Sequence, residues 1–189
     1  GLAFLSTPVI NATNYFSTCS KLRTYNMSFG GSAPSAAHQT AINNTWTAGK
    51  LPIAAAGNAA SNSPFYPAAY ANVVSVSAVG IDNSYDIVPA SYTNYGNTID
   101  VSAPGGEIST GFGIISTVPG NTYDIFEGTS MAAPLVTGVA GLIFDSNQFL
   151  NNAQARNILQ TQVWDMGAAG YDDYFGNGMI CAIFSFLEA

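Results

Sequence analysis

The sequence has 189 residues, enough for one domain with its own hydrophobic core, and only 8% of them are charged. Four Lys and Arg stand against eleven Asp and Glu, for a net charge of −7, which excludes nucleic acid because phosphate neutralisation needs cations. No basic amphipathic stretch suits a membrane surface, and the longest apolar run, Pro134 to Phe144, falls short of the roughly 18 residues of a spanning helix.

Two periods alternate along the chain. Leu2–Leu5 reads as a strand, Asn11–Ser20 as a Thr- and Asn-rich helix, and Thr24–Phe29 as a second strand. Ala36–Ala48 carries apolar Ala41, Ile42 and Trp46 at helical spacing, with Ser35 placed to cap it and Gly49 to end it. Leu51–Ala56 is another strand, and residues 57–67 are a loop. Val73–Val79 fits a strand buried on both faces, where only serines interrupt the Val run. After a loop over 80–98 come strands at Ile99–Ala103 and Ile114–Val118. Ser130 to Phe144 is apolar almost all round, which predicts a buried core helix, and Ala153–Val163 is a further helix with Ile158, Leu159 and Val163 on one side.

Strand, helix, strand, helix, strand in the first 80 residues predicts the α/β class with a mostly parallel sheet. No repeat, linker or low-complexity tract divides residues 1–189, so one domain is expected. Cys19 and Cys181 are far apart and give no disulfide framework, and two buried free thiols are expected. Gly1–Leu5 lacks the basic region and cleavage site of a secretory signal.

Ser130 is the first residue that could carry chemistry. A serine hydroxyl needs a base and a site for the oxyanion that its attack creates. Gly128-Thr129-Ser130 enters a long apolar helix with Pro134 in its first turn, which sets the hydroxyl among unpaired backbone N–H groups at the positive helix end. The same context would suit a serine that merely caps the helix.

The heptapeptide Gly128-Thr129-Ser130-Met131-Ala132-Ala133-Pro134 resembles the nucleophile motif of the subtilisin family. Ala55-Ala56-Gly57-Asn58 resembles that family's oxyanion segment, and Asn26-Met27-Ser28-Phe29-Gly30-Gly31 its substrate-binding strand. Tyr66-Pro67-Ala68-Ala69-Tyr70, Ala103-Pro104-Gly105, Ser116-Thr117-Val118-Pro119-Gly120 and Gly170-Tyr171-Asp172 through Gly178 follow in the family's order. The resemblance runs from Thr24 to Ala182.

It implies a three-layer subtilisin-like fold and a serine endopeptidase acting on polypeptides. Ser130 would be the nucleophile and Asn58 the oxyanion donor. Ser28, Phe29 and Gly30 would pair with the substrate backbone, as in β-strand addition. Ala55, Ala56 and Gly57 would wall the pocket for the residue before the cleaved bond. Phe65 would form its base and shorten it, favouring small or medium side chains. A cis bond is implied at Tyr66-Pro67. The carbonyls of Ala68, Tyr70 and Val73 with the Asp100 carboxylate match a weak family cation site suited to Ca²⁺ or Na⁺, though no cofactor is required.

The family's Asp-(Ser/Thr)-Gly and His-Gly-Thr segments are absent. His38, the one histidine, shares a helical stripe with Ala41, Ile42 and Thr45 and is expected to be structural, facing the sheet rather than the cleft. Gly1–Leu5 matches the strand that follows the family's His-bearing helix. The expectation is therefore the C-terminal portion of a catalytic domain, with a missing N-terminal segment or a propeptide as partner, and secretion by resemblance. The alternative is a pseudoprotease or peptide-binding module. A sedolisin-like acid peptidase is disfavoured because that group places Asp where Asn58 stands.

Overall fold

A computed structural model describes residues 6–188, so the strand expected at Leu2–Leu5 lies outside the described residues. Helix α1 spans Ser6–Thr18, starting earlier than the Asn11–Ser20 expected. Its hydroxyls do not break it: Thr13, Ser17 and Thr18 donate back to the carbonyls of Val9, Asn14 and Tyr15 at 2.7–2.9 Å. Strand β1 is Thr24–Met27 and helix α2 is Ala36–Thr47, whose N-cap Ser35 accepts from the His38 N–H. Strand β2, Leu51–Ala55, is buried throughout. Strand β3, Val74–Ile81, is buried along all but its last residue. Strand β4, Ile87–Pro89, pairs back onto β3 inside the stretch expected to be a loop. Strand β5 is Val101–Pro104.

Strands β6, Ile114–Val118, and β7, Thr122–Phe126, form a separate hairpin. Helix α3 then runs from Thr129 to Ser146, and helix α4 from Asn152 to Thr161 with an Asn151–Gln154 capping box. Strand β8, Val163–Trp164, strand β9, Met179–Ile180, and helix α5, Ala182–Leu187, close the chain.

Seven strands make the main sheet in the order β1-β2-β3-β5-β9-β8, with β4 on β3; every neighbour from β1 to β9 along that path is parallel. Alternation along β2 and β3 separates two packed faces. Leu51, Ile53, Ala55, Val74, Val76 and Ala78 join one core with Val136, Ala140 and Ile143 of α3 and Leu159 of α4. Tyr25, Met27 and Ala54 join another with Ile42 of α2 and Phe16 of α1. Helices on both faces of a mostly parallel sheet give the expected three-layer α/β architecture.

Long-range polar contacts tie the layers together. Arg23 stacks over the Phe144 ring at 4.2 Å and donates to the carbonyls of Gln148 and Leu150, just past the negative end of α3. Lys50 donates to Cys19 O beyond α1, and Asn152 donates to Trp46 O and Lys50 O. Both cysteines are free thiols, Cys181 buried and Cys19 half-buried.

Helix α3 departs from its expected burial. Its inner face is fully packed, but Leu135 and Leu142 are 42% and 48% exposed, on one stripe with exposed Pro134 and Gly138. Among the described residues, β1 has a partner on one side only. The stripe lies on the side of α3 turned away from the sheet and is suited to cover by a further apolar surface.

Glu107 is buried beside Gly80 of β3 and accepts from Ser91 N at 2.7 Å, Ser91 Oγ at 3.1 Å and Ser109 Oγ at 2.6 Å. Burial alone would raise its carboxyl, but these donors outweigh it and hold the group below the ordinary glutamate value. A depressed carboxylate contributes stability above its unfolded value near pH 4.3, lost as pH falls through the lower folded value. Glu107→Gln is expected to lower stability at pH 7 by about 1–3 kcal/mol and to flatten the acid limb of stability against pH, measured by urea unfolding from pH 7 to pH 3.

Candidate active site

The C-terminal ends of β1 and β2 and the start of α3 meet at one place. After β2 the chain turns at Gly57, whose φ is +104°. A Cβ there would stand 2.4 Å from Asn94 Nδ2, so only glycine fits both the backbone and the space. Asn94 itself is buried and braces the turn, donating to Ala56 O and accepting from Ala59 N and Ser61 N.

Asn58 follows. Its Oδ1 accepts from Thr129 N at 2.9 Å and from Thr129 Oγ1 at 2.7 Å. The Thr129 hydroxyl in turn accepts from Gly57 N at 3.1 Å. A backbone N–H can only donate, so the oxygen of the Asn58 amide must face Thr129. The amide NH₂ is thereby aimed away, over Gly128, where a Cβ would lie 3.1 Å from it.

Gly128 caps α3 at φ +144°, its N–H shared between Gly105 O and Tyr92 Oη at 2.9 Å each. Tyr92 passes the contact on to Gly106 O at 2.7 Å. Burial, with Glu127 and Glu107 nearby, raises the Tyr92 phenol well above its ordinary range, so it remains a donor. Ser130 stands in the first turn of α3, where a backbone N–H has no partner within the helix. Its Oγ lies 3.4 Å from Ser28 O, and Ser28 Oγ donates to Ser130 O at 2.8 Å, which clips the segment after β1 to the helix start.

Between these segments lies a cavity of about 320 Å³, lined by Phe29, Gly30, Ala55, Gly57, Asn58, Ala59, Phe65, Thr129 and Ser130. The sequence-predicted site residues thus converge, with two exceptions. Ala56 is buried beneath the wall, its N–H on Val76 O, and Ser28 acts through the clip to Ser130 rather than as lining. The Phe65 ring stands between the two walls: Cβ atoms built on Gly30 and Gly57 would come within 2.4 Å and 3.0 Å of it. The bond from Tyr66 to Pro67 is cis.

His38 keeps its expected stripe with Ala41, Ile42 and Thr45, but its ring lines a different cavity, beside Phe29, Gly30, Tyr66 and Tyr70. Its Nε2 is 3.4 Å from Thr13 Oγ1 of α1, and burial lowers the imidazole below its ordinary value. It is not among the residues lining the Ser130 cavity. Ala68, Tyr70, Val73 and Asp100 do share one cavity, yet the Asp100 carboxylate is already bonded to Arg156, Gln160 and Ser75. Thr129 and Asn94 are the residues that sequence reading passed over as site-builders. Their only signal was position, one beside Ser130 and one in a loop of Asn, Tyr and Thr.

A family model described as "Subtilase family" matches residues 5–178. Alkaline elastase YaB of Bacillus sp. (strain YaB) is 40% identical over 157 residues, covering 83% of this chain and 38% of that protein. Subtilisin BL of Lederbergia lenta is 37% identical, with 83% and 54% covered. Among solved structures, a protease from Pseudoalteromonas arctica PAMC 21717 superposes with TM-score 0.84 at 30% identity over 97% of this chain and 59% of that one. Sphericase gives 0.82 at 29%, over 93% and 63%. The chain therefore spans about 38–54% of the length of these curated relatives.

Removing the Thr129 hydroxyl would strand the buried Gly57 N–H and release Asn58. Thr129→Val is expected to cost about 1–3 kcal/mol in denaturant unfolding, while Thr129→Ser, which keeps the hydroxyl, should recover most of it.

Proposed function

The chain belongs to the subtilase family, whose relatives here are serine proteases, and from that premise we propose that it carries the nucleophile half of a serine endopeptidase. One observation carries this reading: Thr129 holds the Asn58 oxygen, so the amide donors are left over Gly128, in a residue that lines the same cavity as Ser130. In the proposed step Ser130 Oγ attacks the carbonyl carbon of a substrate peptide bond. The negative charge that develops on the carbonyl oxygen is met by Asn58 Nδ2 and the Ser130 N–H, both preorganised before substrate arrives. The substrate backbone pairs along Ser28–Gly30, and the side chain before the cleaved bond enters the cavity that Phe65 partly fills.

The proton of Ser130 needs a base. Ser28 O, the contact of Ser130 Oγ, is an amide carbonyl and cannot serve as one at neutral pH. We assign the base and its orienting carboxylate to a histidine and an aspartate on a further segment, in the same polypeptide or on another chain. The exposed Leu135 and Leu142 stripe and the short span against relatives support a segment that packs there. The same lack of a base favours a second reading, a peptide-binding module that keeps the cleft without the chemistry. We place the protein outside the cell by the family resemblance, in keeping with its acidic, charge-poor composition.

A serine-directed phosphonate probe separates these readings. The 189-residue chain alone is expected to remain unlabelled, and a longer product carrying the Asp and His motifs should be labelled at Ser130 and not in Ser130→Ala. Rapid labelling of the chain alone would overturn the missing base; no labelling of any longer product would favour the binding module.

In the labelled form, Asn58→Leu is expected to lower turnover by about 100- to 1000-fold, the size known for subtilisin's own oxyanion asparagine. Phe65→Ala should shift cleavage toward large aromatic side chains in peptide libraries, whereas a wild-type preference for such residues would contradict the role given to the ring.

A further inference from the structure

The cavity around Asp100 combines every group that the family resemblance would assign to a weak cation with two side chains that already donate to its carboxylate. It measures about 360 Å³ and includes Ala68, Tyr70, Val73 and Asp100 with Arg156 and Gln160 of α4 in its lining. Arg156 and Gln160 are four residues apart, so they share one stripe of that helix and reach the same carboxylate. Arg156 Nη2 lies 2.9 Å and Gln160 Nε2 2.6 Å from Asp100 Oδ1, and Ser75 N donates to Oδ2 at 2.8 Å. Tyr70 O, another of the expected ligands, accepts from Val73 N at 3.3 Å.

The donor set argues against a metal here. A Ca²⁺ or Na⁺ ion would need the carboxylate as its only anionic ligand, and three N–H donors already point at it. A guanidinium cannot shed its proton to make room, and displacing it would place two cations against one carboxylate. The residues present do not fit the group that the resemblance suggests.

We propose that Arg156 is a built-in cation that takes the place of a metal ion, so that this junction is held without Ca²⁺ or Na⁺. The junction matters because Asp100 joins its own segment before β5 to three other parts of the fold. Its side chain reaches β3 and α4, its N–H donates to Ser75 O at 3.0 Å, and its C=O accepts from Asn177 N and Nδ2 at 2.9 Å each. A guanidinium tethered to α4 supplies one positive charge, a directional donor on Oδ1 and a covalent link to the opposite layer. A diffusible ion would join oxygen ligands by coordination but has no covalent tether, and a divalent one is lost to chelators.

The proposal concerns the cohesion of the fold and is read by stability, so it stands or falls separately from the protease reading. Thermal unfolding of the 189-residue chain is expected to give the same Tm with EDTA, with millimolar Ca²⁺ or with Na⁺ exchanged for a bulky organic cation at constant ionic strength. Arg156→Ala should unfold several degrees lower, and saturating Ca²⁺ or Na⁺ should restore part of that loss; Arg156→Lys, which keeps the charge, should show no such ion response. Should Arg156→Ala not fold, Arg156→Gln and equilibrium dialysis of the wild-type chain against Ca²⁺ give the same answer. Saturable ion stabilisation of the wild type that Asp100→Asn abolishes would overturn the proposal. So would an arginine-free variant whose Tm is unchanged, or one that loses stability and gains no response to either ion.

Discussion

The grip of Thr129 on Asn58 is the contact on which the rest of the site depends. It joins the loop after β2 to the first turn of α3, and each of those segments is rooted in the core through a different layer. Because the backbone N–H and the hydroxyl of one residue both point at one oxygen, the amide has a single favourable orientation. Loop, helix start and donor are therefore set by one residue 1% exposed to solvent. The clip between Ser28 and Ser130 performs the same service on the other wall. The C-terminal ends of parallel strands, where open α/β sheets gather their ligand sites, are thus brought to the positive end of a helix.

Much of this arrangement was legible because its signals are local. The Val and Ser alternation of residues 74–79 specified a strand buried on both faces, and Ser35 and Gly49 bounded α2 within a residue. The ordered segments around Ser130, Asn58 and Ser28 indicated where the chain's ends of strands would meet, since their resemblance to subtilisins extends over most of the sequence. The His38 stripe was also readable from spacing, although the cavity its ring faces depends on α1 and could not be inferred from one helix.

What escaped depends on partners far apart in sequence. Asn94 supports the turn at Gly57 through hydrogen bonds spanning more than thirty residues, and nothing in its neighbours marks it. Arg156 meets Asp100 across 56 residues, so a carboxylate that looks available in the sequence is already engaged in the fold. Strand β7 was missed because all five of its residues are exposed, leaving no alternation to detect. Helix α3 was read as buried all round because its outward stripe is as apolar as its inward one. Apolarity records what a surface is suited to meet, and the described residues meet only half of it.

Phe65 carries a consequence for how this cleft can change. Its ring is the spacer between two walls that are each glycine at the point of contact, so the three positions share a single volume. A methyl group added at Gly30 collides with the ring and with Tyr66 O, and one added at Gly57 collides with the ring and with Asn94. Shrinking the ring relieves part of either collision and none of the backbone one. The pocket can therefore deepen at position 65 alone, because positions 30 and 57 stay closed by Tyr66 O and by Asn94 whether or not the ring is there. Three residues from separate segments thus share one volume, and only the ring among them can change its size.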